Sequence, residues 1–521
     1  MHEVIDLSFG HTSNHVGAHL YNVQESHIPY KRDTVLSHDN NVFLSSYRGG
    51  SVTYTPRAII YEHTGGYGPL GKYEYYEPKV EVPKNLQVIQ TREKVPKNEY
   101  QLALDEGKNM PGALDVSSTR YWSGYSKLLY NPKSMNTLAS WEHPEGSNIE
   151  GKDGKTSSLG FNRQVPKLLF DTFDKGVESY KDEAENSMDQ FRNTLEKCDM
   201  IQGLNFVTEL DTAWAGFTNS FITDMKDEFF NSGINNKHNI WVHTLSDNVA
   251  SSTLKTNSLL SRIKATIELA SNSTLLFPMA IDPNLQVLNQ SFDHESNWHK
   301  SNVFAFMINS LWGLNNQLQD PVRMSQIQDE LLRGYSSRKV VDSLKIHQVN
   351  KPNSSPQIQD ISLKDIANID VLHNMVQDMD ITKSSSLNLG LYSSMDRCSY
   401  NDFPGAFLSK SYIASPNEHS LIEKLEEQKG PVNLYKNKYV DEVSKIDTTP
   451  KIWNSDSHFI ELCIGSSQGG FKNTMKYYRK VLKRVRDNEI IEDRSELIEQ
   501  ISGLIDEYTT GYESDSDEDY D

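Results

Sequence analysis

The first 290 or so residues predict an α/β fold: a mostly parallel sheet with helices on both faces, followed by an α+β region and C-terminal helices. Short apolar runs alternate with amphipathic stretches from Val4 to Ile281, the pattern of strands joined by crossover helices. The first apolar run ends in Gly10 and passes straight into a helical stretch. Beyond Asp282 the alternation stops. The expected division is therefore 1–290, a second region 291–455 with a linker near 351–360, C-terminal helices over 456–510, and an acidic tail over 511–521.

Val4, Ile5, Leu7 and Phe9 suit a buried strand, Gly10 permits a tight turn, and Asn14 to Tyr21 reads as the start of a helix. Backbone N–H groups point outward where such a strand meets a helix, so an anion is welcome there; an ordinary first strand–helix unit looks the same. Ser26 to Tyr54 is rich in turn residues, with Gly49 and Gly50 the clearest, and Val52 to Tyr61 reads as a second strand. Glu62 to Pro69 is a glycine-rich loop, and Tyr73 to Gln90 is extended and broken by Pro78 and Pro83. Gly146 to Gly160 reads as a surface loop; its Gly154, Lys155 and Thr156 echo a phosphate-binding loop without the spaced first glycine.

Met188, Phe191, Leu195 and Cys198 share a helical face, so Glu183 to Lys197 is a helix feeding the strand Met200 to Val207. A helix over Ile222 to Phe230, a strand over Ile240 to Leu245, a helix over Asn257 to Leu269 and a strand over Thr274 to Ile281 follow. Val303 to Leu311 is apolar enough for a buried helix, and Lys351 to Pro356 reads as an exposed linker. Residues 380–450 show no clear periodicity. Phe471 to Arg486 is a basic helix, and Ser495 can cap a second one with Leu497, Ile498, Ile501, Leu504 and Ile505 on its apolar face. Glu513 to Asp521 has the composition of a disordered tail, with Ser514 and Ser516 set among acids as in substrates of acid-directed kinases.

With 521 residues, 36% of them hydrophobic, the chain can bury a sizeable core. A net charge of −19 argues against nucleic acid as the main partner, because phosphate backbones require basic surface. Cys198, Cys398 and Cys463 are too few and too scattered for a disulfide framework or zinc cluster, which points to a reducing compartment. No run approaches the roughly 18 apolar residues of a membrane span, and the first residues lack the marks of a signal or transit peptide. Work at an organelle is therefore expected from its cytosolic side.

The order of residues from Phe9 to Tyr21 resembles the first loop and helix of tubulin, where the pattern reads G-Q-C-G-N-Q-I-G; Gly10, Asn14, Gly17 and Ala18 match. Thr55 to Ile60 resembles tubulin's second phosphate-loop strand, and Glu196 to Leu204 the strand leading to its glycine-rich loop. These ordered matches imply a tubulin-like fold. They do not carry over the activity. His11 and Thr12 stand where tubulin has Gln and Cys, and Ser13 replaces the second glycine. Glu62 can replace an Asp of the second loop, but Thr64 stands where another acid would help to hold magnesium.

The decisive stretch is Asp211 to Phe217, where tubulin carries G-G-G-T-G-S-G and only Gly216 is a glycine here. Trp214 fills space, and Asp211 is expected to set a negative charge beside a would-be triphosphate. A carboxylate about 4 Å from a phosphate charge costs on the order of 4 kcal/mol at an effective dielectric near 20, roughly a thousandfold in affinity. Asn257 sits where an Asn touches ribose and guanine, while Pro283 replaces the second such Asn. Trp312 to Asn316 is only a loose echo of the G-D-L-N loop that completes hydrolysis in the next tubulin subunit. The remnant positions Gly10, His11, Thr12, Asp211, Trp214, Gly216 and Asn257 are thus expected to bind no cofactor. His11, His15 and His19 have the four-residue spacing of zinc ligands, but without H-E-x-x-H or a nearby third ligand they read as core or solvent-facing histidines, and no metal is expected.

A tubulin-like body with a degraded phosphate loop and this opening segment most resembles the Misato family, in particular its fungal members; Trp122, Ser123 and the stretch Leu331 to Val341 also look like that family. The resemblance covers residues 1 to about 345. It implies a role in partitioning mitochondria and in inheritance of mitochondrial DNA, with the protein at the cytosolic face of mitochondria and in the cytoplasm. The expected activity is non-enzymatic scaffolding among protein partners (cytoskeletal, chaperonin or mitochondrial outer-surface proteins), with peripheral contact through 471–486. The alternatives are a divergent GTP-binding switch and an assembly factor for tubulin or actin.

Overall fold

The computed structural model describes residues 2–30, 36, 38–48, 52–72, 75, 94–108, 112–143, 169–230, 238–247, 254–281, 287–349, 385–392, 407–428, 430–465, 470–485 and 494–509. Glu3–Phe9 forms β1, buried along its whole length, as a strand covered by helices on both faces must be. It lies at the centre of a six-stranded sheet of order β5-β4-β1-β6-β7-β8, with β4 Ala58–Thr64, β5 Met135–Glu142, β6 Ile201–Glu209, β7 Asn239–Ser246 and β8 Leu275–Ala280. Every neighbouring pair in it is parallel. The alternation read from the sequence is therefore a tubulin-like parallel sheet.

Several boundaries differ from expectation for identifiable reasons. The single strand expected over Val52 to Tyr61 breaks at Arg57: β3 (Val52–Pro56) turns back on β2 (Leu44–Arg48), while β4 joins β1. The buried Arg57 guanidinium sits at that break and donates to the carbonyls of Leu44 and Asn41. Helix α1 (His11–Ser26) starts immediately after Gly10, and α3 (Phe173–Leu195), which follows the short α2 (Glu99–Asp105), starts well before Glu183. Helix α4 (Trp214–Met225) starts at Trp214 rather than near Ile222 and runs into a π-helical turn, Lys226–Phe230. Most of the stretch aligned with a glycine loop is therefore helix.

Helices α5 (Thr256–Asn272) and α6 (Asn297–Asn316) follow. The latter is buried on all sides, which is why it shows so little amphipathic pattern. Trp312 to Asn316 is its last turn and not a loop. On its far side, after α7 (Met324–Leu332), lies a second sheet of order β10-β9-β13-β11-β12, made of β9 Ser343–Gln348, β10 Ser386–Asn388, β11 Ser409–Ala414, β12 Val432–Lys436 and β13 His458–Ile464. It is antiparallel apart from the pair β11 and β12. Because β13 lies between β9 and β11, this sheet crosses the boundary expected at 455.

The chain then forms an antiparallel helix pair, Phe471–Arg484 and Arg494–Glu507. Ser495 lies inside the first turn of the second helix rather than capping it. Tyr508 pins the pair to the body by bonding both the N–H and the carbonyl of Val340. Among the described residues no helix is long and apolar enough to cross a membrane. The expected loop 146–160, the linker near 351–360, Cys398, Arg486, Pro283 and the acidic tail lie outside the described residues, as does all of 73–90 but Tyr75.

Gly216 turns out to serve packing. A Cβ there would lie 1.9 Å from the Phe173 carbonyl oxygen, and one at Gly176 would lie 1.8 Å from that of Ala213, so the backbones of α3 and α4 touch. Gly216→Ala and Gly176→Ala should each lower unfolding free energy by about 1–3 kcal/mol through overpacking. Urea denaturation reads this directly; an unchanged midpoint contradicts the close crossing.

Candidate functional site

The carboxyl ends of β1, β4 and β6 meet at the start of α1, where a tubulin-like fold places a nucleotide's phosphates. Gly10 caps α1 at φ 103° with no side-chain partner of its own, a conformation that other residues adopt only under strain. A Cβ on Gly10 would lie 2.7 Å from Trp214 Cδ1 and 2.9 Å from the Glu209 carboxyl carbon. The Thr12 N–H donates to Glu209 Oε1 at 2.8 Å. The amide that would face a phosphate therefore has an acceptor from the end of β6. Burial pushes the Glu209 carboxyl above its usual range, and the Thr12 N–H pulls the other way.

Trp214, almost fully buried, seals the same space. Its ring stacks on His63 at 4.8 Å and meets Phe170 edge-on at 5.1 Å. Asp211 does not act as expected. It is held by Arg262, Nε to Oδ1 and Nη2 to Oδ2 both at 2.6 Å, and accepts from Ser246 Oγ at 2.5 Å. Its charge is neutralised toward α5, and the acid at the phosphate position is Glu209. Asn257 is exposed in the first turn of α5.

On the other side of α1, Glu62 is buried and fully engaged. Its Oε2 accepts from Asn14 Nδ2 at 3.0 Å and pairs with His11 Nδ1 at 3.1 Å, and its Oε1 accepts from the His63 N–H at 3.0 Å. Burial alone would depress the His11 imidazole, but the Glu62 charge and hydrogen bond, with the Arg120 carbonyl, raise it. Burial would likewise raise Glu62, yet the His11 charge and hydrogen bond hold it down to about 2. A protonated His11 can also donate from Nε2, which lies 3.1 Å from the Arg120 oxygen and 3.2 Å from His15 Nε2. His15, kept neutral by burial and by His11, then donates from Nδ1 to Tyr125 Oη at 2.8 Å. His143 packs 4.1 Å from the His11 ring. His19 faces elsewhere, bonding the Trp298 carbonyl.

The residues present do not fit a magnesium–nucleotide pair. Glu62 would have to surrender His11, Thr64 is turned to the Leu138 carbonyl, and the Thr12 amide already holds Glu209. Among the described residues no group of three His, Cys, Asp or Glu side chains is arranged to hold a metal. Structure thus brings Gly10, His11, Thr12 and Trp214 together with Glu62, and turns Asp211 and Gly216 to other duties. Glu209 was missed because an ungapped count from the preceding strand drew attention to Asp211. The available signal was an acid ending the strand beside β1, opposite a helix start.

A six-stranded parallel sheet, a buried central helix and a second mixed sheet, with the phosphate cradle closed by the chain's own side chains, define a tubulin-fold protein of a divergent kind. Residues 111–318 match the tubulin domain, and residues 2–106 match the Misato segment II tubulin-like domain. The chain belongs to the Misato/DML1 family. It is 44% identical to protein DML1 of Debaryomyces hansenii, 34% to that of Candida albicans and 33% to that of Scheffersomyces stipitis, each alignment covering 100% of both chains.

The buried histidines set a pH dependence. The raised His11 stabilises fully below pH 6.5 and loses that share as pH rises through its folded value, whereas Glu62 loses its share only as pH falls from 4.5 toward about 2. His63, depressed by burial to about 4, and His19 and His143, depressed by burial to about 3, act oppositely: their share is complete above pH 6.5 and is lost on acidification. Each costs about 1.4 kcal/mol per pH unit in that window. The urea midpoint should therefore fall steeply between about pH 6.5 and pH 5; a flat profile there contradicts neutral, buried imidazoles.

Proposed function

We propose that this chain is a non-enzymatic tubulin-fold scaffold that works by protein–protein recognition in the partitioning of mitochondria and the inheritance of mitochondrial DNA. The Glu209 carboxylate on the Thr12 amide, with Trp214 packed against Gly10, carries the first half of that reading. An anion-binding helix start that is satisfied from within has no need of GTP to be stable. Family membership supports the organellar half, and the reading places the protein at the cytosolic face of mitochondria and in the cytoplasm. The basic helix Phe471–Arg484 supplies a surface suited to an acidic partner or an anionic membrane face: its apolar side is buried, and Lys480, Lys483 and Arg484 are exposed.

Two measurements test this. Purified protein should carry no guanine nucleotide after denaturation and should retain none at roughly tens of micromolar GTP, well short of the about −8 kcal/mol that micromolar affinity represents. Saturable micromolar binding favours a nucleotide switch instead. Depletion in cells should clump mitochondria and leave tubulin levels unchanged; a fall in assembled tubulin or actin with normal mitochondria favours an assembly factor.

A further inference from the structure

The C-terminal helix pair places a basic face beside the point where an acidic segment leaves the body. The helix Phe471–Arg484 carries Lys472, Lys476, Arg479, Lys480, Lys483 and Arg484 and no acid. Phe471, Met475, Tyr478 and Leu482 face the core and Arg479 turns to the second helix, while Lys480, Lys483 and Arg484 are exposed on the outer side, with Lys472 and Lys476 half-exposed. The next helix runs back antiparallel to it: Arg494 donates to the Val485 carbonyl at one end, Arg479 to Ser502 midway, and the rings of Phe471 and Tyr508 lie 4.8 Å apart at the other. The chain therefore leaves Thr509 next to the first turn of the basic helix.

Residues 510–521 follow, with Glu513, Asp515, Asp517, Glu518, Asp519 and Asp521 and no Lys or Arg. Twelve residues reach about 40 Å when extended, whereas a 14-residue helix is about 21 Å long. Reach, charge and starting point all suit one occupant.

We propose that the acidic segment 513–521 docks along the basic face of the helix Phe471–Arg484 in the same chain, so that any external anionic surface must compete with it. Phosphorylation of Ser514 or Ser516 would add about −1.5 to −2 charges each and tighten the contact. The contact itself is independent of what the basic face later meets. Only its regulatory meaning rests on the scaffold role proposed above.

Zero-length carbodiimide cross-linking of the full chain, followed by peptide mass analysis, reads the contact without any partner. Carboxylates of 513–521 should join Lys472, Lys476, Lys480 or Lys483. In an equal mixture of 14N and 15N protein these links should stay within one isotope, and they should vanish in about 0.5 M salt, where the screening length falls well below 8 Å. The double substitution Lys480→Glu with Lys483→Glu, at two exposed positions, should abolish links to the remaining lysines without moving the thermal midpoint. Links scattered over lysines elsewhere, links of mixed isotope, or links indifferent to salt and to the double substitution overturn the proposal. GTP binding or its absence leaves this result unaffected, so failure here is distinct from failure of the scaffold reading.

Discussion

One hydrogen bond organises the functional end of this molecule: the amide of Thr12, at the start of the first helix, donates to the carboxylate that ends β6. A helix start presents unsatisfied N–H groups and partial positive charge, and an anion there is worth about 0.3–2 kcal/mol. In a nucleotide-dependent relative of this fold that anion comes from outside. Here β1 and β6 are adjacent parallel strands, so Glu209 at the end of one reaches the helix that follows the other. An anion supplied by the chain itself carries no association cost, which a free ligand must overcome. Trp214 completes the closure because α4 starts there, placing an indole where a flexible loop would otherwise wrap a ligand.

Around this contact the remaining polar groups pair with each other. Asp211 answers Arg262, and Glu62 answers His11, each in a buried setting where loss of one partner would strand a charge. The chain has kept the glycines that its backbone needs and lost those that a phosphate needs. Gly10 stays because of its positive φ and the crowding behind it, and Gly216 because two helix backbones touch there. Retained glycines in a motif are thus not a record of retained binding.

Much of the fold was legible in the sequence. Strands β1, β6, β7 and β8 are buried on both faces and read as apolar runs, and the spacing of Met188, Phe191 and Leu195 marked α3. The second sheet was not legible, because β12 is a half-exposed strand at the sheet edge and β11 mixes Ser and Lys with its apolar residues. Helix α6 showed only its apolar middle, since burial on every side erases periodicity. At the site, the loss of the glycine run was plain, and Trp214 was recognised as bulk. The pairing partners were not: nothing local ties Asp211 to Arg262, Glu209 to Thr12 or Glu62 to His11, because each pair is joined only when distant strands and helices come together.

The most direct test is an experimental density map of the protein prepared with millimolar magnesium and a non-hydrolysable GTP analogue. The account predicts the Glu209 carboxylate on the Thr12 amide, the Trp214 ring against Gly10, and no nucleotide between them. A triphosphate with magnesium seated between His11 and Trp214, with Glu209 swung away, contradicts it.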